Sequence, residues 1–351
     1  MKRIYLDYAA GAPVDPEVNK AMEEFSSANY GNASGIYQEG REAKKVLEDA
    51  RARIAKILSV RTYEIIFTSG GTEANNLAIF GVGSSFAKAS KDKHIITSAF
   101  EHRSVLEPIK ELERWGFEIT YLKVSRDGFV NPEDVRSALR PETILVSIMY
   151  VNNEIGTIQP ISEISKIIRE FRLSGSDPDR APGVGSRYPL FHTDMCQAAG
   201  YLDLHVEKLG VDLGSFSGAK VSGPKGIGFL YKKEGVALRP EIFGGGQERG
   251  FRSGTESVEL IVGLAKALEI SREKKDAESK RLLGLRDYFA KEILFRIPGA
   301  EINGDLIKRI SSNLSISFPG VESERLIVAL DEKGIAVSSG SACDSKLPEL
   351  P

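Results

Sequence analysis

Lys220 lies in Ser217-Gly218-Ala219-Lys220-Val221-Ser222-Gly223-Pro224-Lys225-Gly226, just after an apolar run from Val211 to Phe216. The pattern predicts a strand ending in a small-residue turn that presents one amine, with Gly223 and Gly226 letting the backbone turn away without a Cβ clash. Upstream, Asp194 closes a second apolar run, Pro189-Leu190-Phe191-His192-Thr193. An amine and a carboxylate at two strand ends suit pyridoxal phosphate. The amine forms a Schiff base with it, and the carboxylate keeps its pyridine nitrogen protonated so that the ring can accept electrons.

Other residues of the same chemical kind are spread along the chain. Ser69-Gly70-Gly71-Thr72-Glu73-Ala74-Asn75-Asn76 follows a predicted strand over 64–68. Its glycines expose backbone N–H groups, and Thr72 adds a hydroxyl at a helix start, a combination suited to a phosphate monoester. Glu101-His102 follows a strand over 94–97, and Val151-Asn152-Asn153-Glu154 follows a long apolar strand over 143–150. Cys343 ends Ser338-Ser339-Gly340-Ser341-Ala342-Cys343, a small, flexible segment able to carry a nucleophilic thiol between two places. Cys196, between Met195 and Gln197, reads as a small buried hydrophobe. His94, His192 and His205 read as structural, and Gly244 to Thr255 reads as a polar loop carrying Arg249 and Arg252.

These residues need a scaffold that places strand ends side by side. Strands alternate with helical stretches, including a long amphipathic helix over 39–58, and this predicts a doubly wound parallel α/β sheet. In such sheets ligands bind at the carboxyl ends of the strands, where each of the strand-end motifs falls. Downstream, a helix is expected over 257–296 with a break near Gly284. Strands over 310–318 and 334–339 flank a helix at 323–333, forming a smaller α+β unit. The expected boundaries are a large cofactor-binding domain at 15–256 and a small domain made of 1–14 and 257–351. Residues 173–189, rich in Gly, Pro and Ser, read as a surface loop.

Composition narrows the function classes. Of 351 residues, 47 are Lys or Arg and 49 are Asp or Glu, giving a net charge of -2. That balance gives no reason to expect nucleic acid or an anionic membrane as partner. Two cysteines make no disulfide framework and suit a reducing, cytoplasmic setting. Four histidines without a Cys/His cluster argue against a structural metal site.

Taken together, Tyr5-Leu6-Asp7-Tyr8-Ala9-Ala10, Thr68 through Asn75, Glu101-His102, Asn152 through Gly156, Asp194 with Gln197, Ser217 through Lys220, Arg252 through Thr255 and Ser338 through Cys343 resemble the cysteine desulfurases of the class V pyridoxal-phosphate enzymes. The resemblance covers nearly the whole chain. It implies a fold-type-I architecture, with a mainly parallel seven-stranded sheet and a smaller α+β domain, assembled as a homodimer. It further implies that Lys220 carries the cofactor and moves the substrate's α-proton, while His102 stacks on the ring and assists acid–base steps. Asp194 would pair with the ring nitrogen, and Gln197 and Asn153 would address the ring hydroxyl. Gly71, Thr72 and Ser217 would hold the phosphate, with Thr255 reaching the phosphate of the second subunit. Asn153 and Arg252 would also meet the substrate. Cys343 would take sulfur from L-cysteine as a persulfide, release alanine, and pass the sulfur to an acceptor or iron–sulfur scaffold protein. Cys343 could also act as a transient iron–sulfur ligand. A selenocysteine lyase or other lyase or transaminase on the same cofactor, and a weakened scaffold homologue, remain alternatives.

The chain departs from the family pattern at three places. Ala219 stands where histidine is usual before the lysine, and Ala33 and Tyr37 replace a usual proline and histidine. The sequence ends at Pro351, eight residues past Cys343, with no arginine in that stretch. The family's carboxylate-clamping arginine therefore has no counterpart there, and a high KM for cysteine is expected.

Overall fold

The structure is a computed structural model that describes residues 3–26, 30–86, 93–174 and 188–340. Cys343, and the 175–187 part of the expected surface loop, lie outside the described residues. The first half of the chain supplies β1 (Ile4–Tyr5), α1 (Pro16–Ser26), α2 (Gln38–Leu58), β2 (Ile65–Thr68), α3 (Gly71–Phe86), β3 (His94–Ser98), α4 (Arg103–Arg114), β4 (Glu118–Leu122), α5 (Pro132–Ala138), β5 (Thr143–Ser147) and α6 (Ile161–Ser174). The second half supplies β6 (Leu190–Asp194), α7 (Val206–Leu209), β7 (Leu213–Ser217), β8 (Gly228–Lys232), α8 (Val258–Arg296), β9 (Glu301–Ile302), β10 (Ile316–Ser317), α9 (Ser323–Glu332) and β11 (Ile335–Ala336).

The central sheet has seven strands in the order β2-β8-β7-β6-β5-β3-β4. Only β8 runs against its neighbours, pairing antiparallel with both β2 and β7. The expected parallel α/β sheet is present. Apart from the edge strand β4, its strands are buried on both faces, as the apolar Ile144-Leu145-Val146 of β5 requires. The period of two divides side chains between two cores. Ile95, Leu145, Leu190 and Leu213 face one, which includes α3 and α4 residues, while Ile96, Val146, Phe191 and Phe216 face the other. In the second core α2 buries Ala43, Leu47, Ala50, Ile54 and Leu58, the i, i+4, i+7 stripe read from the sequence.

Two expectations about elements fail. α8 continues through Gly284 without a break. A mid-helix glycine costs only about 1 kcal/mol relative to alanine and removes no hydrogen bond, so flanking helix formers carry the helix across it. The C-terminal strands are also shorter than their apolar runs suggested, with only Ile316–Ser317 and Ile335–Ala336 paired. Each lies in a two-stranded ribbon, β10 with β9 and β11 with β1, so no longer partner extends the ladder.

One buried ion pair ties the glycine-rich loop to the sheet. Arg51 on α2 donates from Nη1 and Nη2 to the Glu248 carboxylate at 2.8 and 2.6 Å. The same carboxylate accepts from the Phe67 N–H at 2.8 Å, and Arg51 stacks over the Phe67 ring. Burial works against the Arg51 charge, but the Glu248 hydrogen bond and charge outweigh it and hold the guanidinium above its usual range.

Candidate active site

Five parallel strands bring polar residues to their carboxyl ends: Thr68, Ser98, Ser147, Asp194 and Ser217. Lys220 follows β7 directly, in a single 3-10 turn over Gly218–Lys220. Its Nζ donates to the backbone carbonyls of Ala9 and Ala10, both at 2.7 Å. Gln197 Nε2 donates to the Ala9 carbonyl at 3.0 Å. The N-terminal segment thus crosses the site and holds two expected site residues through its main chain. Ala219, where the family usually has histidine, accepts the Ala12 N–H at 3.0 Å through its carbonyl.

Asp194 is 8% exposed and accepts two hydrogen bonds. Its Oδ1 takes the Cys196 N–H at 2.9 Å, and its Oδ2 takes the Asn75 amide at 2.7 Å. Behind it, His192 is fully buried between the hydroxyls of Ser147 and Ser215. Burial pushes its pKa down to about 4, so it is a neutral structural imidazole. The Cys196 thiol is pushed well up, first by burial and then by the Asp194 charge, which keeps it protonated and unreactive.

Gly71 opens α3 against this thiol. A Cβ at Gly71 would lie 2.5 Å from Cys196 Sγ and 3.4 Å from Ser217 Cβ, whereas the Cβ direction of Gly70 is open, with nothing within 4 Å. Gly71 and Cys196 are therefore fitted to each other. Gly71→Ala should destabilise the protein by about 1–3 kcal/mol. Adding Cys196→Ala should recover most of that loss, because Cys196 Cβ lies 4.0 Å from the new methyl. Thermal unfolding of the two variants checks this; no recovery in the double variant would mean that the strain lies elsewhere.

His102 caps α4 at its N-terminus and lines an open cleft of about 530 Å³ together with Thr72 and Ser104. Next to it, Glu101 is buried, with Oε1 accepting from the Ser98 hydroxyl at 2.7 Å and the Met149 N–H at 3.0 Å. Among the described residues its Oε2 has no hydrogen-bond partner, and burial raises its pKa to about 8. A carboxyl in this state holds its proton at neutral pH.

The remaining expected residues take different positions. Thr72 and Thr255 are exposed. Asn153 is half-buried beside Asn152, whose Oδ1 accepts the N–H groups of Glu154 and Ile155 and so shapes the turn. Arg252 donates to Glu73 on the first turn of α3, at 2.9 Å, so its charge is engaged within the chain. Asn75, Ser104 and the Ala9–Ala10 carbonyls had no assigned role in the sequence reading. The local signal for the first two was present: Asn75 lies one turn into the glycine-loop helix, and Ser104 sits two residues after the capping His102.

Residues 4–349 match the family model for class V aminotransferases. The cysteine desulfurase IscS of Dictyoglomus turgidum is 49% identical over 98% of this chain and 83% of its own length. Among solved structures, a NifS-like protein superposes with a TM-score of 0.89 at 38% identity, covering 96% of this chain and 88% of its own. SspA in complex with cysteine superposes with a TM-score of 0.81 at 33% identity, over 97% of this chain and 90% of its own. With that match along its length and the strand-end site it carries, the chain belongs to the class V aminotransferase family and has the fold-type-I architecture of its NifS-like neighbours.

Proposed function

We propose that this chain is a pyridoxal-phosphate-dependent cysteine desulfurase, converting L-cysteine to L-alanine and leaving the sulfur on Cys343 as a persulfide. The observation that carries the reading is the placement of the Lys220 amine, the Asp194 carboxylate and the Gly70–Gly71 helix start along one edge of the sheet, with Gly71 set against Cys196 and Ser217. The residues fit the cofactor. The open space at Gly70 admits a phosphate to the N-terminus of α3, where free N–H groups and the helix dipole favour an anion. We assign Gly71, Thr72 and Ser217 to that phosphate, Gln197 and Asn153 to the ring hydroxyl, and Asp194 to the ring nitrogen. Exposed Thr255 is assigned to the second subunit of a homodimer.

When bound, pyridoxal phosphate supplies an electron sink for bond breaking at the amino acid's α-carbon. Lys220 would hold the group and would carry the α-proton. Asp194, fixed by Asn75 and the Cys196 N–H, keeps its negative charge aimed at one place. His102 orients the ring from the cleft side. The Cys343 thiolate attacks the substrate sulfur, so an S–S bond forms as the C–S bond breaks and its electron pair stays with the carbon that becomes alanine's methyl. The persulfide is then offered to a sulfur-acceptor or iron–sulfur scaffold protein. We assign residues 15–256 to a large cofactor-binding lobe and 1–14 with 257–351 to a small one. No helix among the described residues is long and apolar enough to cross a membrane, and a cytoplasmic setting suits the persulfide.

The test is to load the purified chain with pyridoxal phosphate, add L-cysteine, and quantify alanine and protein-bound sulfane sulfur. Both should appear in equal amounts in the first turnover. Cys343→Ser should keep the cysteine-induced absorbance change and lose alanine release, because serine is a far poorer nucleophile toward sulfur. Alanine formation that survives in Cys343→Ser would overturn the assignment.

A further inference from the structure

A continuous hydrogen-bond path joins His102 to Asp194. Ser104 N–H donates to His102 Nδ1 at 3.1 Å, and Ser104 Oγ lies 2.7 Å from the same nitrogen. Asn75 Nδ2 lies 2.8 Å from Ser104 Oγ and 2.7 Å from Asp194 Oδ2. Asn75 and Ser104 are 1% and 7% exposed, so water does not compete for these groups.

The direction of each bond follows from the chemistry of its partners. A backbone N–H can only donate, so His102 Nδ1 presents a lone pair. A carboxylate can only accept, so Asn75 turns its NH₂ toward Asp194, and that orientation leaves Ser104 Oγ as the acceptor of the second N–H. The Ser104 hydroxyl hydrogen is then free for Nδ1. Each link has one allowed direction: Asn75 donates to both Asp194 and Ser104, and Nδ1 receives two donors, the Ser104 hydroxyl and N–H.

We propose that Ser104 is a positioning residue which, backed by Asn75 and Asp194, fixes neutral His102 as the tautomer protonated on Nε2. The ring then presents one N–H donor in a constant orientation toward the cleft it lines with Thr72. Ser104 is more than a helix-packing residue in this arrangement. Alanine would keep the backbone bond to Nδ1 and the fit of α4, and would remove only the hydroxyl that links Asn75 to the ring. The inference rests on the proposed function only for the part His102 plays toward cofactor and substrate; the tautomer itself is a property of this chain.

The experiment uses the full chain labelled with ¹⁵N-histidine, read by long-range ¹H–¹⁵N correlation in the apoprotein and after pyridoxal phosphate is added. The His102 signal is identified by its loss in His102→Gln. The expected wild-type pattern above neutral pH is a pyridine-type Nδ1 with a pyrrole-type Nε2. In Ser104→Ala the two nitrogens should move toward averaged shifts. Ser104→Thr should keep the wild-type pattern, while Ser104→Val, equal in shape to threonine, should lose it; this pair serves if the alanine variant folds poorly. In turnover of L-cysteine, Ser104→Ala should lower kcat by about three- to tenfold, the range of one net hydrogen bond, and leave KM unchanged. An unaltered tautomer pattern in both Ser104→Ala and Ser104→Val would overturn the proposal. If the pattern changes as expected but no variant, nor the wild type, turns over cysteine, the tautomer inference stands and the desulfurase reading falls.

Discussion

Replacing Lys220 with alanine should lower alanine formation from L-cysteine by more than about a thousandfold while leaving the fold intact. On the proposed assignment two functions are lost at one position: covalent retention of the cofactor and transfer of the α-proton. Proton transfer alone is worth about 10²–10⁴-fold in enzymes that use a positioned side chain. The structural cost is small. Lys220 is half-buried and, among the described residues, its Nζ bonds the Ala9 and Ala10 carbonyls, which a water molecule can satisfy in its place. Borohydride reduction followed by peptide mapping gives a second readout. The wild type should carry the reduced cofactor on Lys220, and the variant should carry none. A label on another lysine in the variant would show that the amine had been assigned to the wrong strand end.

The largest loss of stability should follow from Glu248→Ala. The Arg51 side chain is only 3% exposed and that of Glu248 only 1%, so removing the carboxylate leaves a buried guanidinium with only the half-exposed Glu48 carboxylate and the Ile65 carbonyl, and also deprives the Phe67 N–H of its acceptor. Breaking one partner of a buried pair typically costs about 3–5 kcal/mol. Arg51→Met combined with Glu248→Ala should cost less than the sum of the two single changes, because no unpaired charge remains. Urea unfolding at one protein concentration measures all three. Additive losses would mean that each residue is held by other partners and that the pair is incidental. Arg252 and Thr255 follow Glu248 on the same loop, so the single variant should also loosen the Arg252–Glu73 contact at the start of α3.

The contrast between Lys220 and Glu248 shows what a sequence discloses. Lys220 and Asp194 are legible because each terminates its own apolar run, and a strand end is a local event. The same holds for the Gly70–Gly71 turn between strand and helix. Glu248 is not legible, since its partner Arg51 is 197 residues away and nothing near either residue specifies the other. Arg252 stood in the sequence as an uncommitted charge, and only the packing of the loop on α3 gives it Glu73. The relay through Ser104 is hidden for a related reason, because it needs β6, α3 and α4 brought together before Asn75 can reach both Asp194 and Ser104. Gly284 misled in the opposite direction, as its local propensity was overruled by the helix around it. Cys343 rests on its sequence context and on the family resemblance of its motif, since the described residues end at Gly340.

The pairing of β1 with β11 has a consequence for the order in which the molecule is made. Ile4 pairs with Ile335 and Tyr5 with Ala336, and Ser338 Oγ donates to the Asp7 carboxylate at 2.9 Å. At translation speeds of about 5–20 residues per second, Ile335 leaves the ribosome roughly 16 to 66 s after Ile4. All seven strands of the sheet lie at or before Lys232, and the α8 residues that cover one face lie at 258–270, so the strand ends can assemble well before that pairing is possible. Gln197 and Lys220 then offer the N-terminal segment its first anchors on the sheet, through the Ala9 and Ala10 carbonyls. In a nascent chain these two side chains, together with the Ala12 N–H on the Ala219 carbonyl, can hold the N-terminus against the sheet until the strand partner of Ile4 and Tyr5 arrives.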